Sequence, residues 1–312
     1  MQNVYCKVNM TKILVTGGSG LVGRHLREYL PDADYISSKD FDLRSESDVK
    51  RLFETDWSHV VHLAARVGGI LENINHPAEF IEENLLMNTL LLKYARLAGV
   101  PRLTAILSTC IYPDVYERYP LVEEDLHNGP PQRTNFAYAI AKRALAVHID
   151  SLNTQYGLRY NYLIPCNLYG EYDKVDESRS HYLTALLGKI IKAEREGRNH
   201  IDLLGTGMPM RQFMYGGDLA KAIKRCIDED VTGSFNVAVT ENRSIREIAE
   251  IALAATGNIE MELRFDSTSP DGQFRKDVSN SKMIAAFPDF DFTPLADGIK
   301  RVYQYYKDNQ IV

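Results

Sequence analysis

Ile13-Leu14-Val15-Thr16-Gly17-Gly18-Ser19-Gly20-Leu21-Val22-Gly23 reads as a short strand, a glycine-rich turn and the start of a helix. Gly17, Gly20 and Gly23 permit a tight turn, close backbone approach to a pyrophosphate and close packing of helix on strand. The free amides at the helix N-terminus would then face the phosphate charge. Three spaced glycines are common in loops and carry little alone. Here they follow the first strand of a β-α-β pattern, where dinucleotides bind. The whole loop is therefore expected to contact a dinucleotide: Gly17, Gly18, Ser19, Gly20, Leu21, Val22 and Gly23.

Outward from this turn, apolar runs at 12–16, 34–37, 59–63, 103–107 and 160–164 alternate with helical patterns at 20–29, 47–53, 77–98 and 138–156. That alternation predicts an α/β fold, with a Rossmann-type doubly wound parallel sheet. After Pro165 the pattern loosens: helices at 182–196, 218–228, 245–256 and 295–308, and strands at 201–204 and 234–238. We expect an extension over 1–11, a cofactor domain over 12–165 with returning segments near 212–240, and a smaller C-terminal α/β substrate domain from 166–211 and 241–312. The cleft between them is the expected ligand site.

The chain has 312 residues, enough to bury roughly three quarters of its unfolded surface. Its net charge of −6 disfavours nucleic acid and anionic membrane as partners. No run of 18 apolar residues exists, and the start MQNVYCKVNM lacks a signal-peptide core, so a cytoplasmic protein is expected. Cys6, Cys110, Cys166 and Cys226 are scattered without a CxxC pair, so neither a disulfide framework nor a metal site is predicted.

The second strand of such folds usually ends in an acidic residue that grips the ribose hydroxyls of NAD. Here it runs into Ser37-Ser38-Lys39, where hydroxyls and a cation suit a 2′-phosphate, so NADP is favoured. Arg24 would add a second cation, and Asp42-Leu43 lie where the adenine edge would fall. The alternative is that Lys39 is a solvated turn residue.

Tyr138 and Lys142, four residues apart, share one helix face. A cation beside the phenol is expected to lower its pKa and fit it for proton exchange with a substrate oxygen. Ser108 follows a strand's C-terminal end and would donate a second hydrogen bond there. Alone, the Tyr-Lys spacing is equally that of any amphipathic helix.

The glycine turn, Leu63-Ala64-Ala65, Asn84, Ser108 and Tyr138/Lys142 resemble the extended short-chain dehydrogenase/reductase family. Further stretches resemble its branch acting on GDP-4-keto-6-deoxy sugars: Ala65-Arg66-Val67-Gly68-Gly69-Ile70, Ser108-Thr109-Cys110-Ile111-Tyr112-Pro113, Asn167-Leu168-Tyr169-Gly170, Pro209-Met210-Arg211-Gln212-Phe213 and 269–276. The likeness spans roughly residues 12–309. It implies NADPH-dependent reduction of a C4 ketone preceded by epimerisation at C3 and C5 of GDP-4-keto-6-deoxy-D-mannose. It implies Cys110 and His181 as the epimerisation acid and base, and Leu63, Ala64, Ala65, Ser38, Lys39, Asp42 and Lys142 at the cofactor. A thiol and an imidazole do exchange protons near neutral pH, and the ketone acidifies both neighbouring carbons. On their own, Cys110 reads equally as packing and His181 as a helix-start residue. Asn167 and Arg211 are implied at the GDP-sugar, with Lys189 and Asp271 (alongside Lys276) as further substrate contacts. A homodimer through helices 77–98 and 138–156 is also implied. Leu204, where bacterial relatives commonly carry tryptophan, and Glu171-Tyr172, where Pro-His is common, depart from the pattern and put sugar specificity in question. Two other readings stay open: a C4 reductase or epimerase for another GDP-4-keto sugar, and a non-catalytic NADP-binding sensor or scaffold.

Overall fold

The computed structural model describes residues 12–173, 175, 181–269 and 271–312. The expected 1–11 extension, Cys6, Pro270 and Ser178-Arg179-Ser180 lie outside the described residues.

Five strands, β1 (Ile13–Thr16), β2 (Asp34–Ile36), β3 (His59–His62), β4 (Arg102–Ile106) and β5 (Arg159–Pro165), alternate with helices. These are α1 (Leu21–Tyr29), α2 (Glu46–Leu52), α3 (Ile70–Asn75), α4 (Pro77–Leu97) and α5 (Phe136–Tyr156). Then come β6 (Asn167–Tyr169), α6 (Tyr182–Arg195), β7 (His200–Leu204), β8 (Met210–Arg211), β9 (Phe213–Tyr215), α7 (Gly216–Asp228) and β10 (Phe235–Val237). The remainder is β11 (Arg243–Ser244), α8 (Ile245–Thr256), β12 (Glu262–Asp266), α9 (Ser281–Ala286) and α10 (Leu295–Asp308).

The main sheet has the order β10-β5-β4-β3-β1-β2 and is parallel throughout. The chain leaves β1 toward β2, then returns to lay β3 on the other side of β1. Strand order therefore reverses at β1, and ligands bind beyond the carboxyl ends of strands at such a point. β1, β3 and β4 are buried along their whole length, as strands covered on both faces must be. This doubly wound sheet is the one expected, with β10 returning to flank β5.

Two hydrophobic cores form. One surrounds the main sheet and includes Leu14, Val61, Leu103 and Leu163. The other joins α6, α8 and α10 with β7 and β9, and includes Leu187, Ile201, Phe213, Ile248 and Ile299. β7 pairs in parallel with β12, a strand not anticipated in the sequence. Its residues alternate exposed and half-buried, too weak an apolar signal to stand out. α3 was also not anticipated. Pro77 has no N–H for an intrahelical bond, so the helix stops at His76 and restarts with Pro77 in its first turn. Among the described residues, no helix is long and apolar enough to cross a membrane.

Candidate active site

The glycine turn sits at the C-terminal end of β1. Gly17 has φ of +72°, and a Cβ there would lie 2.7 Å from the Ala64 nitrogen. A Cβ on Gly23 would lie 2.6 Å from the Gly17 carbonyl oxygen. Larger residues would close the turn against its own backbone. Among the described residues no side chain caps α1 and no carboxylate occupies its first turn, which leaves its amides to face an anion. A dinucleotide's pyrophosphate fits this cradle.

Polar groups brace the turn from below. Thr16 Oγ1 and His62 Nδ1 are 2.8 Å apart, and His62 Nε2 is 3.0 Å from Asn88 Oδ1. The Ala64 amide donates to Thr16 Oγ1 at 3.3 Å, while the Leu63 amide donates to the Thr16 carbonyl. Burial pushes His62 down to about 4, so it serves as a neutral tie between β1, β3 and α4. Asn84, fully buried, holds the Ala65-Arg66 turn: its Oδ1 accepts from Arg66 N and its Nδ2 donates to Arg66 O, both at 3.1 Å.

Beyond β2, Ser38 and Lys39 are exposed beside the turn, open to an anionic ligand. Asp40 caps this bend by accepting from Ser37 N and Oγ, both at 2.8 Å. The Asp42 carboxylate is engaged with Arg44, which also pairs with Glu83. Its side chain braces the loop beyond β2 and stays 42% exposed. Arg24 points elsewhere: its guanidinium lies 4.9 Å from the Tyr172 ring centre.

At the end of β4, Ser108 caps the short 3-10 turn Thr109–Ile111, its Oγ accepting from Cys110 N at 3.5 Å. α5 brings Tyr138 and Lys142 alongside; Lys142 is 2% exposed and donates from Nζ to Ile106 O at 2.7 Å. The expected lowering of the phenol pKa is not found. Desolvation pushes Tyr138 up, with Cys110 adding to the effect, and pulls Lys142 down to about 8. Lys142 Nζ lies 5.9 Å from the ring centre and is bonded to a carbonyl, so burial outweighs its field. Burial also raises the Cys110 thiol, opposed by Ser108 and by the Lys276 and Lys142 cations.

The opposite wall comes from the second half of the chain. His181 stands at the N-cap of α6 with Nδ1 3.1 Å from Asp173 Oδ2. The Asp173 hydrogen bond raises its pKa, against burial and Lys276. Lys276 is pulled down to about 8 by burial, then by Arg211; it lies in the fields of Cys110 and Cys166 as well. One ammonium thus neighbours Cys110, His181 and Arg211. Gln212 puts it there: its amide donates to Val278 O at 3.0 Å and accepts from Val278 N at 2.9 Å, docking 276–278 against β9. Asn167 donates from Nδ2 to Gln212 O at 2.8 Å, and Arg211 from Nη1 to Met210 O at 2.8 Å.

Two substrate candidates are otherwise occupied. Lys189 is exposed on α6 and donates to Asp202 O at 2.6 Å. Both Asp271 oxygens accept from Thr206, at 2.6 Å from N and 2.7 Å from Oγ1, clasping the turn around Gly205. The Glu171-Tyr172 departure is structural in character. Glu171 accepts from Tyr215 Oη at 2.7 Å and lies 3.3 Å from buried His25, while Tyr172 packs on His25 and Arg24. Cys166 and Cys226 are buried thiols pushed up to about 12. Asp173, Gln212 and the central place of Lys276 were not read from sequence. Gln212 and Lys276 lie inside quoted stretches, whereas nothing local marks Asp173.

A doubly wound sheet with an open glycine turn beside a Ser-Tyr-Lys grouping defines a nucleotide-cofactor enzyme. The chain belongs to the NAD dependent epimerase/dehydratase family, whose model matches residues 13–238. It is 36% identical over 308 residues to a GDP-L-fucose synthase of Dictyostelium discoideum, covering 95% of each chain. It is 32% identical to a GDP-L-colitose synthase of Yersinia pseudotuberculosis, covering 95% of this chain and 97% of the other. A crystal structure of a GDP-L-fucose synthetase from Naegleria fowleri bound to NADP superposes with a TM-score of 0.87 at 33% identity, covering 96% of this chain and 94% of that one.

Proposed function

We propose that this protein converts GDP-4-keto-6-deoxy-D-mannose to GDP-L-fucose, epimerising C3 and C5 and then reducing the C4 ketone with NADPH. The observation that carries the reading is the grouping of Cys110 and Ser108, beyond the C-terminal end of β4, with Tyr138 and Lys142 of α5. A reductase alone has no need of the thiol.

The cradle of Gly17–Gly23 holds the pyrophosphate, with Ser38 and Lys39 at the 2′-phosphate and Leu63, Ala64 and Ala65 lining the approach. When bound, NADPH supplies the hydride for C4. Arg211 and Lys276 offer cationic charge to the GDP diphosphate, and Asn167 lies beside them. Ser108 and Tyr138 donate hydrogen bonds to O4, stabilising the enolate that forms when a C3 or C5 proton leaves. Cys110 and His181 exchange those protons on opposite faces of the sugar. Tyr138, whose raised pKa keeps it protonated at neutral pH, then delivers its proton to O4 during reduction. Lys142 orients that phenol and the nicotinamide ribose.

A second reading, another GDP-4-keto sugar as substrate, draws support from the colitose synthase relative and from Leu204, which is 73% exposed at the departure position. The protein works in the cytoplasm as a homodimer under this proposal.

Proton NMR in deuterated water distinguishes the readings. Deuterium at C3 and C5 of the ketosugar, with NADPH consumption, is expected. Tyr138→Phe should cut NADPH consumption by about 10²–10⁴-fold, and Cys110→Ser should slow exchange. Reduction without exchange at either carbon would leave a simple C4 reductase. Absence of turnover with any GDP-4-keto sugar would leave a cofactor sensor.

A further inference from the structure

Asp173 lies in the turn that follows β6, its amide donating to Gly170 O at 3.2 Å. Its side chain is only 10% exposed. Thr184 donates to Oδ2 at 2.6 Å, and His181 Nδ1 lies 3.1 Å from the same oxygen and 3.4 Å from Oδ1. Thr184 stands one turn along α6 from His181 and is 1% exposed. α10 closes the other side, where Tyr306 donates to Gly170 O at 3.3 Å. The carboxylate is thus held from α6 and the backbone that carries it from its own turn, while the imidazole it holds is 56% exposed toward solvent.

An imidazole whose Nδ1 faces a fixed carboxylate keeps its proton on that nitrogen, and the other nitrogen is left to exchange protons with a ligand. We propose that Asp173 is a positioning residue for His181: it fixes Nδ1 as the protonated nitrogen and leaves Nε2 as the one that exchanges the sugar proton. This rests on the proposed function, in which His181 is one of the two epimerisation groups. Among the described residues, the charged groups acting on the His181 imidazole are the Asp173 carboxylate, which favours imidazolium, and the Lys276 ammonium, which opposes it. Glu171, two residues earlier in the same turn, faces His25 and Tyr215 instead. The Tyr306 phenol on α10 is held in neutral form by burial.

The test compares wild type with Asp173→Asn, Asp173→Glu and Thr184→Val. Deuterium exchange at C3 and C5 is read by NMR, and the His181 titration midpoint by ¹H–¹⁵N correlation on the free protein. Asp173→Asn should slow exchange about tenfold or more, through kcat with KM kept. The His181 midpoint should fall, because the carboxylate that favoured the charged form is gone. The limb of the exchange profile that reports His181 should move to lower pH with it. Asp173→Glu should restore part of the midpoint. Thr184→Val keeps the carboxylate and should leave the midpoint raised while slowing exchange less. Wild-type exchange with an Asp173→Asn rate and midpoint unchanged would overturn this assignment alone. A wild-type protein that takes up no deuterium at either carbon overturns the proposed function and this assignment together.

Discussion

Tyr138 and Lys142 illustrate how burial competes with proximity at a single residue. Their spacing was legible because it belongs to one helix, and four residues return the chain to the same face. Their protonation was not, because it depends on what the rest of the fold removes from water. Lys142 shows the direction and scale of this effect. Its pKa falls from 10.5 to about 8 on folding, so the unfolded chain binds more protons than the folded one between those values. Folded stability from this group is therefore lowest below pH 8 and recovers as pH rises toward 10.5. Lys142→Met should be more stable than wild type near neutrality by about 3 kcal/mol, with the gap closing over that window. Denaturant unfolding at pH 7, 9 and 10.5 checks this; a gap that stays constant with pH would refute it.

At the scale of elements, the glycine turn is the most legible part of the chain. The reason is that its geometry is local: strand, turn and helix are consecutive, and only small residues let α1 approach β1. Gly23→Ala forces a methyl against the Gly17 carbonyl. Overpacking of this kind costs about 1–3 kcal/mol, which predicts roughly ten- to hundredfold weaker NADPH binding. Fluorescence titration with NADPH measures it, and an unchanged dissociation constant would show that the turn has slack. β12 marks the opposite case. Among the described residues its only sheet partner is β7, some sixty residues earlier in sequence, and its alternating half-burial is set by that pairing rather than by any run of its own. The short helix α3 also escaped, although the start of α4 at Pro77 was read.

For the whole molecule, two cores meet around a site that neither builds alone. Of the proposed site residues, Ser108 and Cys110 follow β4, Tyr138 and Lys142 lie on α5, and the later chain supplies Asn167, His181, Arg211 and Lys276. The proposed homodimer belongs to this scale too. On α4 and α5, Leu86 is 46% exposed and Val147 48%. If these helices form the two-fold contact, Leu86→Glu and Val147→Glu should convert a dimer to a monomer in light scattering, while NADPH binding persists. A wild-type monomer at micromolar concentration would rule the contact out.

The sequence by itself determined the doubly wound sheet, the glycine turn, the place of Ser108 after β4 and the shared helix of Tyr138 and Lys142. Each is written in short-range spacing, where the periods of strand and helix fix which side chains share a face. Tertiary structure alone decided that Asp173 backs His181, that Gln212 docks the 276–278 segment, and that Glu171 pairs with His25 and Tyr215. It also turned the expected lowering of Tyr138 into a rise. Those outcomes depend on desolvation and on contacts between distant segments, and neither has a period that a linear sequence can carry.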